Sequence, residues 1–310
     1  MAVLRLLEGL RTPFWDAVFG ALTYLGDETL FMVVAMCMFW CVDKRRGYFL
    51  LYTGFLGTLA NQFLKLLFCV PRPWLLDPEF TIVESARGAA TGYSFPSGHT
   101  QNAAGTYGGI ARTSGRRAVR VACVAAILLV AFSRLYLGVH TPLDVGVSLA
   151  LGAALVLLIW PLFVRAETDR RVLPALFGAL LLLCVLFVLY VELAPPPANA
   201  IPAFHESGVK NAYTLLGVAA GLLPVYALDE ARIRFDPRAP LAGQAAKCAL
   251  GFGLVVAVRA LTKEPLLLLT GGHASAHAIR YFLMVLTGGA LWPLTFRFWA
   301  RLGARRGARG

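Results

Sequence analysis

What most constrains this chain is the alternation of long apolar runs with short clusters of charge. Nine candidate spans, near residues 28–42, 48–69, 98–113, 117–136, 141–164, 172–193, 211–228, 244–263 and 277–300, end at such clusters, and about 20 apolar residues suffice for a helix to cross the hydrocarbon of a bilayer. The spacing predicts an all-α fold, a polytopic membrane helical bundle of about nine transmembrane helices. Of the 310 residues, 58% are hydrophobic and 15% charged, with a mean hydropathy of +0.67. That composition argues against a soluble enzyme, a disordered chain and a coiled coil. The first and third spans are the weakest: one is short, and the other carries Thr100, Gln101, Asn102 and several glycines, so it is expected to face protein rather than lipid.

The net charge of +12 would raise the question of nucleic acid in a soluble chain. Here the basic residues gather in alternate turns, so the expected partners are membrane lipids, with no nucleic acid. Those turns hold Lys44, Arg45 and Arg46; Arg112, Arg116, Arg117 and Arg120; Arg165, Arg170 and Arg171; Arg232, Arg234 and Arg238; and Arg301, Arg305, Arg306 and Arg309. Lys and Arg are retained on the cytoplasmic side. The expectation is therefore a multi-pass protein of a bacterial plasma membrane, amino terminus outside and carboxyl terminus cytoplasmic. The loops near 70–97, 137–141, 194–210 and 264–276 then lie outside.

The first residues set Arg5, Glu8, Thr12 and Asp16 against Leu6, Leu7, Leu10 and Phe14, the pattern of an interfacial amphipathic helix rather than a cleavable signal. Cys37, Cys41, Cys69, Cys123, Cys184 and Cys248 have no metal-ligand spacing and read as small core residues. Pro195, Pro196 and Pro197 form a stiff external connector between a front and a back half.

Three clusters lie at the external ends of spans: Lys65 followed by Arg72 and Pro73; Pro96, Ser97, Gly98 and His99; and Ser133, Arg134, His140 and Asp144. Fixed cations near a membrane surface are costly unless they meet an anion, and the guanidinium fork suits phosphate oxygens. Lys65, Arg72 and Arg134 make a candidate phosphate cradle. Ser97 and Gly98 open the third span, where unpaired N–H groups and the helix dipole add an anion site. His140 and Asp144, four apart with Pro142 between, project from one face of a helix start. The carboxylate can fix the tautomer and leave the other ring nitrogen as a nucleophile, with His99 as general acid and then base. No cofactor or metal is called for, because the cradle supplies the positive charge.

In order and spacing, the three clusters resemble the signature of the type 2 phosphatidic acid phosphatase family. The resemblance covers residues 1–165, an amphipathic helix plus a phosphatase-like transmembrane core; residues 166–310 are additional C-terminal helices of unassigned role. It implies an integral membrane lipid phosphatase acting through a phosphohistidine at the extracytoplasmic face, with a lipid phosphate or pyrophosphate as substrate. Phosphatidic acid, phosphatidylglycerol phosphate and single-chain phosphates all fit. Undecaprenyl pyrophosphate is preferred among them, because the short basic turns look bacterial and the site faces outward. Two alternatives use the same pocket: a lipid-linked phosphotransferase, and a lipid transporter or scramblase whose path Lys247 and Arg259 would mark. Outside the motif, His273 and His277 read as a solvated or headgroup-facing pair, Glu84 and Arg87 as loop-surface charges, and Trp74 as an interfacial anchor.

Overall fold

A computed structural model of the chain describes residues 1–302. Every element among them is helical, as expected where backbone polar groups must be satisfied within their own segment. In the front half these are α1 (Ala2–Glu8), α2 (Pro13–Leu22), α3 (Glu28–Cys37), α4 (Lys44–Phe68), α5 (Pro73–Leu76), α6 (Gly98–Thr113), α7 (Arg117–Tyr136) and α8 (Pro142–Arg165). There follow α9 (Val172–Leu193), α10 (Pro202–Leu228), α11 (Leu241–Leu261), α12 (Lys263–Leu269), α13 (Ser275–Leu286) and α14 (Phe296–Trp299).

Seven stretches among the described residues are long and apolar enough to cross a bilayer: Lys44–Leu76, Arg117–Tyr136, Pro142–Arg165, Val172–Leu193, Pro202–Ile233, Leu241–Leu269 and Ser275–Trp299. The count is eight if Pro13–Gly26 and Glu28–Val42, bent by 48° at their junction, form one broken span. The count of nine is thus not reached, and the two weakest expectations account for the difference. Residues 28–42 qualify only together with the helix before them, and α6 is 16 residues long with a polar, glycine-rich sequence. Arg305, Arg306 and Arg309, counted among the basic turn residues, lie outside the described residues.

The chain forms two compact units. One comprises Met1–Ala35, Phe49–Val164 and Pro195–Gly208; the other comprises Met36–Tyr48, Arg165–Ala194 and Val209–Gly310. In the first, small residues let helices approach closely, as membrane bundles require where lipid gives no hydrophobic drive for helices to associate. A Cβ on Gly109 of α6 would lie 2.5 Å from Leu50 of α4, and one on Gly152 of α8 would overlap Ala104 of α6. Leu128 and Phe132 of α7 and Leu157 and Leu158 of α8 point outward, a face suited to lipid tails. The amino-terminal segment is two helices rather than one. Leu4 of α1 is buried with Phe80 and Ile82, Arg5 pairs with Asp77 at 2.6 Å, and Glu8 accepts the Thr81 N–H at 2.8 Å, which fastens α1 to the loop after α5.

The second unit has an aromatic core around Trp40, whose indole N–H donates to the Gly288 carbonyl at 2.8 Å. Lys247 is buried there and donates to the carbonyls of Trp40 at 2.9 Å and Pro237 at 2.6 Å, so its charge is spent on structure. The buried Asp229 pairs with Lys44 at 2.6 Å. Cys37 and Cys41 each bring their Sγ to within 3.6 Å of Cys248 Sγ, and all six cysteines are free thiols.

Candidate active site

All the groups of the three sequence clusters that face a common space do so in the first unit, around a cavity of about 230 Å3. Lys65, Arg72, Gly98, His99, Arg134 and His140 line it; Ser97 and Asp144 stand behind that lining.

Each position follows from local structure. Helix α4 ends at Cys69, in the left-handed region at φ 48°, and the turn there brings Arg72, at the cap of α5, back toward Lys65 one turn earlier. Arg72 is buried and fully engaged: Nε donates to Gly92 O at 3.0 Å, Nη2 to Thr91 O at 3.0 Å and Nη1 to Val139 O at 2.9 Å. Lys65 donates to the carbonyl of Tyr93. Arg134, in the last turn of α7, donates from Nη1 to Thr23 Oγ1 at 2.7 Å, while its buried Nε meets no partner among the described residues. None of these cations forms an ion pair with a carboxylate among the described residues, so carbonyls and a hydroxyl hold three charges in place without neutralising them. A buried positive charge left in this state is costly, and an anion relieves the cost.

His140 caps the geometry. Its Nε2 lies 3.0 Å from Arg72 Nη1. A guanidinium can only donate, so Nε2 is the acceptor and the ring proton sits on Nδ1, a tautomer assigned from this network. Nδ1 lies 3.5 Å from Asp144 Oδ2, a contact longer than a hydrogen bond. The shorter bonds of that carboxylate go elsewhere: it accepts from Ser94 Oγ at 2.6 Å and from the Thr141 N–H at 2.7 Å, while Thr141 Oγ1 accepts from the Asp144 N–H at 3.3 Å. Thr141 and Asp144 thus form a reciprocal capping box at the start of α8, and the same carboxylate faces the imidazole. Burial first, then the charges of Arg72, Arg134 and Lys65, hold His140 well below the usual histidine range, which keeps it neutral. Burial and the same cations lower His99, at the start of α6, to about 3.

Ser97 is the cap of α6: its Oγ accepts the Thr100 N–H at 3.4 Å and Thr100 Oγ1 at 3.0 Å. The start of α6 is tied to α8 by Ser148, which donates between the carbonyls of Ser97 and Asp144 at 2.9 Å each. Gly98 and His99 are thereby presented to the cavity at a helix amino terminus, where N–H groups point outward.

Sequence reasoning missed several groups. Asn61 sits one helical turn before Lys65 on α4, a spacing that could have revealed it; it lines the cavity with both amide atoms buried and unpartnered among the described residues. Gln101 does the same with Oε1, and Asp27 and Glu28 add two carboxylates to the lining. Thr23 and Ser94, which hold Arg134 and Asp144, carry no sequence signal because their partners are distant in the chain. Elsewhere, His273 and His277 turn to separate neighbours, Ser275 and Arg280, at 3.0 and 2.8 Å. Glu84 and Arg87 pair at 2.8 Å, and Trp74 lies between the guanidiniums of Arg72 and Arg87 at 5.8 and 5.5 Å.

The chain belongs to the PAP2 superfamily: the profile of that superfamily matches residues 46–168, and a second, described as PAP2 superfamily phosphatase, transmembrane extension, matches residues 213–305. It is similar to a Dictyostelium discoideum protein named "Probable sphingosine-1-phosphate phosphatase", 28% identical over 66% of this chain and 52% of the relative. It is also similar to phosphatidylglycerophosphatase B of Bacillus subtilis, 29% identical over 48% of this chain and 76% of that protein. The undecaprenyl-diphosphatase BcrC of the same bacterium is 35% identical over 31% of this chain and 47% of its own length. The chain spans about half the length of the sphingoid-phosphate phosphatases it matches. No solved structure matches it significantly.

Proposed function

We propose that this protein is an integral membrane lipid phosphatase that hydrolyses a lipid phosphate or pyrophosphate through a phosphohistidine. The observation that carries the reading is the neutral His140, its Nε2 accepting from Arg72 Nη1 at 3.0 Å, in the wall of a cavity that Lys65, Arg72 and Arg134 also line. Family membership and the phosphatase names of the relatives support it.

The phosphoryl group lies in the cation cradle at the start of α6, with the N–H groups around Ser97 and Gly98 adding donors. Arg72 transfers its bond from Nε2 to a phosphoryl oxygen, and Nε2 attacks phosphorus as the bond to the leaving oxygen breaks. Asp144 stabilises the charge that develops on the ring. His99 donates its proton to the leaving oxygen: a phosphate dianion offsets the cations that lower His99, so the imidazole is protonated when substrate is bound. Water, losing a proton to His99, then attacks phosphorus; the N–P bond breaks, and phosphate and neutral His140 are regenerated. The cradle holds the phosphoryl oxygens through both steps.

The basic turns favour a site on the extracytoplasmic face, where a headgroup meets the cavity while its tail stays in hydrocarbon. The test is phosphate release by purified protein in chelator across phosphatidic acid, phosphatidylglycerol phosphate, undecaprenyl pyrophosphate and single-chain lipid phosphates. At least one is hydrolysed. His140→Ala lowers that rate by about four orders of magnitude while the protein stays folded, and acid-labile phosphate labels the wild type but not the variant. Near-normal turnover in His140→Ala overturns the reading.

A further inference from the structure

We infer, resting on the phosphatase reading above, that Asn61 is a further catalytic residue: its amide holds the water that hydrolyses the phosphohistidine against the phosphoryl group. Gly57, Asn61 and Lys65 recur every fourth residue along α4 and so share one face. That face meets α6. A Cβ on Gly57 would lie 2.7 Å from Gln101 Nε2, and Asn61 Oδ1 lies 3.9 Å from where a Cβ on Gly98 would stand. Asn61 therefore sits against the first residue of α6, the one before His99, in the wall of the cavity that Lys65, His99 and His140 also line.

The structural uses of an amide at this position are not taken up. An asparagine in a membrane helix can tie it to a neighbour by hydrogen bonds, but both amide atoms of Asn61, a residue 2% exposed, are without a partner among the described residues. It could cap α6, but that end is already closed by Ser97. The Ser97 Oγ accepts the Thr100 N–H at 3.4 Å, the Ser97 N–H donates to Asp144 O at 3.2 Å, and the Ser97 carbonyl accepts from Ser148 Oγ at 2.9 Å. A buried amide with neither atom bonded is costly, and a ligand that brings an acceptor and a donor together relieves the cost.

The proposed reaction supplies that pair at one stage. An ionised lipid phosphate brings acceptor oxygens alone. Once the lipid has left, the phosphohistidine keeps those oxygens and the attacking water adds O–H donors. Asn61 Nδ2 donates to a phosphoryl oxygen and Oδ1 accepts one O–H of the water, while His99 takes the other proton. The water oxygen then bonds to phosphorus, the P–Nε2 bond breaks with its electron pair returning to His140, and hydrogen phosphate is released.

The test uses the lipid panel named above, phosphatidic acid first, radiolabelled in the terminal phosphate and quenched in alkaline detergent, where phosphohistidine survives. In Asn61→Ala, phosphate release is expected to fall about 100-fold, the loss that follows removal of one preorganised donor to a reacting oxygen. Label enters the protein less than about tenfold more slowly, so labelled protein accumulates above the wild-type level. Asn61→Ser, which keeps a donor and an acceptor, recovers part of the release rate and lowers the labelled fraction. An amide that only packs would not move this partition: near-normal release in Asn61→Ala, or labelling and release lowered together, overturns the inference and leaves the phosphatase reading standing. If wild type releases no phosphate and takes up no label from any lipid of the panel, the phosphatase reading fails, and orthovanadate decides the role of Asn61 separately. That oxyanion occupies the place of the phosphoryl group and is expected to raise the melting temperature of wild type more than that of Asn61→Ala; equal shifts, or none, overturn the inference.

Discussion

In the proposed mechanism His140 has to meet its substrate unprotonated, and it is kept so by burial and by three cations that an ordinary surface histidine would not meet. The sign has a consequence for stability. With the folded-state value of His140 and of His99 below the unfolded value of about 6.5, the unfolded chain takes up protons first as pH falls, so stability declines below about pH 6.5. The melting temperature in detergent is expected to be lower at pH 5 than at pH 7.5. Inorganic phosphate should narrow the gap, because a bound anion makes protonated imidazole welcome; a flat or reversed profile counts against neutral buried histidines. At this scale the cations and imidazoles of the cavity lining were legible: Lys65, Arg72, His99, Arg134 and His140, with Gly98 beside them, are marked by spacing and residue type. Asn61, Gln101, Asp27 and Glu28 were not, since an amide inside an apolar helix and a carboxylate at a helix start each have an ordinary structural explanation. Asp144 shows the same ambiguity from the other side, for it closes a capping box and faces the imidazole as well.

The elements that aim these side chains are short and irregular: a 3-10 turn at Thr23–Gly26, the one-turn α5, and the start of α6. The position of His99 depends on the absence of a side chain at Gly26, where a Cβ would stand 2.5 Å from His99 O and 2.7 Å from Val130 Cγ1. Gly26→Ala is expected to cost about 1–3 kcal/mol through overpacking and to lower kcat at least tenfold, read by thermal melting and phosphate release. Gly105→Ala, in α6 where an added Cβ meets nothing within 4 Å, should be neutral or mildly stabilising; equal damage from both would dissociate His99 from the turn. Apolar periodicity reveals long helices well, and α7, α8 and α9 fall within a residue or two of their expected bounds. It says little about α6, whose polar residues and glycines serve packing and the cavity, and that is why this expected span is not among the stretches long and apolar enough to cross a bilayer.

Across the whole molecule, charge sets orientation. If the basic turns are cytoplasmic, a cysteine introduced at the cavity-lining Ala89 is expected to react with a membrane-impermeant maleimide in intact cells. One introduced at Glu167, beside Arg165, should react only after lysis. The reverse pattern would turn the site to the cytoplasm. The connector after α9 has a further consequence. The Ile201 N–H donates to the Tyr93 hydroxyl at 2.8 Å, Phe204 packs edge-on to the same ring at 5.3 Å, and the Tyr93 carbonyl in turn receives Lys65. A residue of the proposed phosphate cradle is therefore buttressed by chain written some 130 positions later. Grafting only the three signature clusters and their helices onto another scaffold would leave that lysine without its backstop.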